Sequence, residues 1–287
     1  MSNSIAIQTR GPARWHGFEL MDQPWWPRML RDGATNYLRV LVNHLRPFEV
    51  ALPALREALQ AGQTTRIVDL CSGGSGPWET ILPGLKAEVD PTIEVLLTDL
   101  YPNQAAAERC ALNSGIRYEP EPVNALSVRP ELEGLRAIVN GLHHFRPEDA
   151  RQILADAVSH GQPIAVLELL QRTWRDVFSV PLVFLSVLFT IPRVRPVRIS
   201  TLFLTYVLPV LPLAMAWDTF VSTLRCYRPE ELLSMAESVP GSEAYVWSAK
   251  ASRCETTGLP VTYLVGYPRA TQDARQNALA CPAGAPC

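Results

Sequence analysis

Glycine crowds one short tract, Arg66-Ile-Val-Asp-Leu-Cys-Ser-Gly-Gly-Ser-Gly-Pro77, and that tract limits the possible fold more than any other. Ile67, Val68 and Leu70 surround Asp69 in the pattern of a buried parallel strand. Gly73, Gly74 and Gly76 then strip most side chains from the turn that follows. Glycine tolerates positive φ and lets backbone lie against a ligand, and a helix after such a turn points its N–H groups there. A second apolar run, Ile93-Glu-Val-Leu-Leu-Thr-Asp99, also ends in an acid. A carboxylate at that spacing can accept from both hydroxyls of a nucleoside ribose.

Apolar runs and helical patterns alternate through the rest of the chain. Strands are predicted near 66–71, 94–98, 116–119, 135–140 and 163–168, with helices near 77–85, 103–114 and 147–159. Arg146-Pro147-Glu148-Asp149 is a helix start, with proline early and acids in the first turn. Ala244-Tyr-Val-Trp-Ser and Val261-Thr-Tyr-Leu-Val-Gly alternate β-branched and aromatic residues, the pattern of a closing antiparallel hairpin. Upstream, residues 15–60 read as helices, one of them ending at Gly62. The expected fold class is α/β: a doubly wound, mostly parallel, Rossmann-like sheet with helices on both faces, the C-terminal hairpin and an apolar helical cap. The expected division is an N-terminal helical cap region (1–62), a cofactor-binding domain (63–170 and 218–270), an apolar helical insert (171–217) and a flexible tail (271–287). Ligands of such sheets lie outside the carboxyl ends of the strands. The glycine loop, Asp99 with Leu100, Asn124-Ala125 and Asn140-Gly-Leu-His-His144 all fall there.

Bulk properties exclude rather than identify. With 26 basic against 28 acidic residues and a net charge of −2, nothing marks nucleic acid as a partner. The six cysteines include no Cys-x-x-Cys pair and read as reduced thiols of a cytoplasmic protein, with no metal site expected. Residues 1–14 are polar, so no secretory signal is expected in them.

Three tracts in order carry a resemblance. They are Asp69-Leu-Cys-Ser-Gly-Gly-Ser-Gly-Pro-Trp78, Asn140-Gly-Leu-His-His-Phe-Arg-Pro147, and, after a long apolar insert, Trp217-Asp followed by Leu224-Arg-Cys-Tyr-Arg-Pro-Glu-Glu231. With them the chain resembles the class I S-adenosylmethionine-dependent methyltransferases, in a bacterial subgroup bearing that insert. The likeness implies S-adenosylmethionine as cofactor and S-adenosylhomocysteine as product. It places cofactor contacts at Asp69, Cys71, Ser72, Gly73, Gly74, Asp99, Leu100, Asn124, Ala125 and Asn140. Cys71 stands where the family's first loop glycine is usual, Ser75 where the third is usual, and Asn124 where an acid is common. Asp69 is expected to order the loop by accepting backbone N–H bonds.

His143 and His144 follow the fourth strand, on the side where this class presents the methyl group. Imidazole suits proton removal from an acceptor near neutral pH. The plain alternative is that one histidine caps the next helix and the other packs beneath it. Trp25 and Trp26, between Pro24 and Pro27, together with Trp217 are candidate walls for a hydrophobic acceptor, aromatic, indole-like or isoprenoid. Ordinary packing is their alternative.

The insert is apolar over 177–191 and 199–217, with Arg193, Arg195 and Arg198 between. The first run falls short of the roughly 20 residues of a spanning helix, and Pro209 and Pro212 kink the second. A substrate cap, a peripheral membrane contact that would suit quinones or lipids, and a homo-oligomer interface are the readings left open. A cofactor-binding module without catalysis is the alternative from another class.

Overall fold

The computed structural model describes residues 11–74, 76–110, 115–195 and 197–269. Ser75, residues 111–114 at the end of the helix expected over 103–114 (α4, Gln104–Cys110), and the expected tail with Cys281 and Cys287 lie outside the described residues. The chain forms two compact units, a helical one from residues 1–37 and 170–227 and a sheet-based one from 38–169 and 228–287.

The sheet unit holds β1 (Arg66–Leu70), β2 (Glu94–Leu97), β3 (Ile116–Tyr118), β4 (Leu135–Val139), β5 (Ile164–Glu168), β6 (Tyr245–Arg253) and β7 (Pro260–Pro268). Their order is β3-β2-β1-β4-β5-β7-β6. The first five pair in parallel, while β7 runs antiparallel to both β5 and β6. This is the doubly wound order 3-2-1-4-5, closed by a hairpin. All five expected strands and the hairpin are present, each parallel strand a residue or so shorter than predicted.

Burial explains the pattern. All five residues of β5 are buried, as are four of five in β1 and in β4, so helices must cover both faces. On one face Ile67, Ala137, Ala165 and Leu167 pack with Phe48, Leu55, Trp78, Ile81 and Leu85. These come from a 3-10 turn (Pro47–Ala51), α2 (Leu52–Ala61) and α3 (Trp78–Glu88). The other face meets α5 (Pro147–Ser159), reached by the buried Arg136 guanidinium paired with Asp156, and α9 (Pro229–Glu237) packs on α5, β6 and β7. Arg136 and Ala137 are neighbours pointing to opposite faces, as a strand's period of two requires.

In the helical unit, α6 runs Trp174–Thr190, α7 Ile199–Tyr206 and α8 Val210–Arg225. Here the length expectation needs correcting. The Thr173 hydroxyl caps the helix by accepting from Asp176 N, so α6 starts before the uncharged run, and a 3-10 turn carries it on to Arg193. The resulting stretch Trp174–Arg193 has 20 residues, long and apolar enough to cross a membrane. The predicted kink falls at Pro209, where α7 and α8 meet at 72°. α8 also anchors the N-terminal segment. Its Asp218 carboxylate accepts from Leu20 N at 2.7 Å and Met21 N at 3.1 Å, while Arg225 pairs with Glu19 and Asp22 at 2.8 Å each. α1 (Arg28–Leu45) begins in this unit and ends in the other.

Gly134, just before β4, has φ of +134°, and a Cβ there would lie 2.5 Å from the Arg66 carbonyl oxygen. We therefore expect Gly134→Ala to destabilise the fold by about 2 kcal/mol or more, read as a lower denaturant midpoint at unchanged slope.

Candidate active site

The carboxyl ends of β1 and β2 are tied together before any ligand is considered. The Asp69 carbonyl accepts from Thr98 N at 2.8 Å, from the Ser72 hydroxyl at 2.8 Å and from the Thr98 hydroxyl at 2.9 Å. Ser72 N donates to Thr98 O at 2.9 Å, and Thr98 N is also 3.1 Å from the Ser72 hydroxyl oxygen. Ser72, expected at the cofactor, thus spends its hydroxyl on the strand tips.

The chain then turns through two left-handed residues, Cys71 at φ +59° and Gly73 at φ +53°, with a third at Gly76, φ +58°. Cys71 holds the conformation that a glycine would adopt freely, at a cost of about 1–2 kcal/mol for a side chain. Burial, then the charges of Asp99 and Asp69, push its thiol up to about 12. A Cβ at Gly73 would meet nothing within 4 Å, so that backbone faces open space.

Loop ordering falls to a different acid from the one expected. Asp99 Oδ2 accepts from Gly73 N at 2.9 Å and its Oδ1 from Tyr101 N at 2.9 Å. Asp69, by contrast, is 1% exposed; neither carboxylate oxygen makes a well-formed hydrogen bond among the described residues, and only the Ser72 hydroxyl and the Trp78 indole N–H lie near enough to favour its charged form. The Trp78 indole N–H is likewise buried without a well-formed bond. Both groups lie under Gly76, where an added Cβ would come 3.5 Å from Trp78 Nε1 and 3.7 Å from Asp69 Oδ2. Burial, reinforced by Asp99, raises the Asp69 pKa to about 7. A buried carboxylate so weakly hydrogen-bonded is costly, and a proton or a nearby cation relieves it.

Past β3, Val123 N donates to Asp99 O at 2.9 Å, bringing Asn124 and buried Ala125 next to the β2 end. Asn124 Oδ1 accepts from Leu126 N at 3.0 Å, and its amide nitrogen has no partner among the described residues. Leu100 is exposed beside Asp99.

The β4 and β5 tips are joined by Asn140, which sits at φ +52° and accepts from Leu169 N at 2.8 Å through Oδ1. Its side chain therefore braces the sheet end where cofactor contact was expected. A 3-10 turn (Leu142–His144) then brings His143 back over β5. There Glu168, 2% exposed, accepts from His143 N at 3.1 Å and sits 2.7 Å from Nδ1. A carboxylate only accepts, so Nδ1 is the donor of this bond, and in the neutral ring that tautomer puts the lone pair on Nε2. Glu168 was missed from sequence, although its place at the end of the fifth strand made it readable. Neither histidine caps the next helix: α5 starts after Arg146 with no side-chain cap. The His144 ring lies against that of His143, centroids 4.3 Å apart.

Trp25, Trp26 and Trp217 belong to the helical unit. Trp25 and Trp26 meet edge to face at 5.9 Å, and Trp25 is exposed. The Trp217 indole donates to Phe18 O at 3.2 Å and packs against the Phe18 ring at 5.5 Å.

No family model and no curated protein sequence matches the chain. Solved structures match at low identity. An O-methyltransferase family protein from Burkholderia thailandensis is 14% identical over 77% of this chain and 56% of its own, with a TM-score of 0.41. PigF with SAH is 16% identical over 85% of this chain and 62% of its own, with a TM-score of 0.48. A zinc-dependent alcohol dehydrogenase from Rhodobacter sphaeroides is 12% identical over 83% and 98%, with a TM-score of 0.44. The chain spans about half to three fifths of the first two structures' length.

Two outcomes follow from the loop. The folded Asp69 pKa of about 7 lies above the ordinary 3.8, so proton binding favours the folded state, and this contribution fades as pH rises through about 7. Asp69→Asn lacks that loss, so its stability relative to the parent should improve between pH 5 and pH 8 by on the order of 3 kcal/mol in chemical denaturation. At Cys71, valine should cost about 1–2 kcal/mol more than glycine, because a β-branched residue suits positive φ least.

Proposed function

We propose that the chain is an S-adenosylmethionine-dependent methyltransferase that acts on a small hydrophobic acceptor and releases S-adenosylhomocysteine. The buried, poorly hydrogen-bonded carboxylate of Asp69 beneath the glycine loop, with Asp99 at the end of the next strand, carries this reading. Two acids ending adjacent strands fit a cationic nucleoside better than a phosphate, which they would repel. Open space at Gly73 fits a ligand laid against the backbone. Asp99 keeps lone pairs for ribose hydroxyls after its two backbone bonds. The Asn124 amide, with Ala125 beside it, is assigned to the adenine edge.

When bound, the donor supplies a positively charged sulfonium whose methyl group is open to in-line displacement. The residues of the chain do the remainder. Asp69 and Asp99 offset and hold the positive charge. His143 Nε2 takes a proton from the acceptor, while Glu168 fixes the ring through Nδ1–H and favours the imidazolium that forms. A held base of this kind is useful when the acceptor must lose a proton, which favours oxygen or nitrogen over an aromatic carbon. Trp25, Trp26 and Trp217 stay assigned to the acceptor on composition. The alternative of a non-catalytic binding module rested on Cys71 and Asn124; the left-handed turn at Cys71 reproduces what a glycine would do there, which favours the enzyme.

Calorimetry with S-adenosylmethionine and S-adenosylhomocysteine tests the cofactor. Binding heat lost in Asp99→Ala is expected, and no heat from either ligand would sink the proposal. With transfer of labelled methyl to pooled lipophilic phenols and amines as readout, His143→Ala should lower kcat by about 10²–10⁴-fold at unchanged cofactor affinity. Glu168→Gln should act in the same direction and move the alkaline-rising limb of the pH profile.

A further inference from the structure

The helical unit carries an apolar face that methyl transfer does not call for. Along α6 the exposed large residues are Trp174, Phe178, Leu182, Leu185 and Phe189, with Phe178 at 76% and Phe189 at 70%. At about 100° per residue these five positions fall within roughly 80° of arc and extend roughly 22 Å along the axis. They form one stripe on one side of the helix. Only 11% of the Trp174–Arg193 stretch is buried. Beyond it, Ile199, Phe203, Val207, Leu208 and Leu213 are also exposed.

Charge identifies what the stripe meets. Arg175 and Arg193 are exposed and lie at its edge, one at each end, by the same angular count. Arg195 is exposed just beyond. None of the three forms an ion pair among the described residues: Arg193 donates to Phe189 O, and Arg195 to Pro192 O and Val194 O. Asp176, the acid nearest the stripe along the helix, lies about 120° from its nearer edge and is bonded to Thr173. A second copy docked stripe to stripe would set arginine against arginine whether the helices ran parallel or antiparallel. A spanning helix would carry unpaired arginines on both faces, which orientation rules disfavour. A helix lying in the plane of an anionic bilayer puts both ends at headgroup depth and its stripe among acyl chains.

We infer that α6, with the arginines at its ends, is a docking surface for an anionic lipid bilayer. It lies flat in the interface, and the inference is independent of the methyl-transfer proposal. The test is flotation of the full-length chain with vesicles of phosphatidylcholine alone or with added phosphatidylglycerol. At least tenfold more protein should float with the anionic vesicles. Arg193→Glu with Arg195→Glu should remove that preference, and Phe178→Asp with Phe189→Asp should abolish flotation. Both phenyl rings are exposed, so an unchanged circular-dichroism melt is expected and separates lost docking from lost fold. Protein that stays in the lower fraction with anionic vesicles overturns the inference. So does equal flotation on both vesicles that survives arginine reversal. A dimer in light scattering that the two Phe→Asp changes dissolve would also overturn it.

Discussion

The carbonyl oxygen of Asp69 is the point on which the site depends. Three donors from Ser72 and Thr98 converge on it, and with the return bond from Ser72 N they clamp the tip of β1 to the tip of β2. Since the peptide group is held, the chain has to leave the strand through a left-handed turn, and the glycines follow from that. The clamp uses the backbone of Asp69 and leaves its side chain without a well-formed hydrogen bond among the described residues. The acid is buried beneath the loop, beside Trp78 at the start of α3.

A second tie, across β4 and β5, repeats the logic with different chemistry. Asn140 takes a positive φ that asparagine tolerates better than most residues, and its side chain reaches Leu169 N. The next turn returns His143 to the end of β5, where Glu168 receives both its main-chain N–H and its ring. The two ties flank the place between β1 and β4 where strand order reverses. One leaves a buried carboxyl group and the other an imidazole ring held by Glu168, and sheet topology brings both to the same edge.

Much of this was legible in the sequence because local signals and global fold agreed. Apolar runs of four or five residues between helical patterns could only be buried parallel strands, and Pro147 with Glu148 and Asp149 marked a helix start that the structure keeps to the residue. What stayed hidden was long-range. Nothing in the spacing of Asp69, Asp99 and Ser72 said which carboxylate would take the loop N–H and which would be left bare. The pairing of His143 with Glu168 joins the turn after β4 to the end of β5 and needs the register of those two strands. The start of α6 was misjudged because hydropathy alone was followed, while Thr173 capped the helix upstream across two charged residues.

Cys71 has a consequence of a different kind. A cysteine in a loop assigned to a methylating reagent places a soft nucleophile beside an electrophile, and a thiolate there would invite self-alkylation. Enclosure and two flanking carboxylates keep its proton on up to a pKa of about 12. The sulfur therefore stays a poor nucleophile at neutral pH. The same acids that would welcome a cation also quiet the loop sulfur that could attack it.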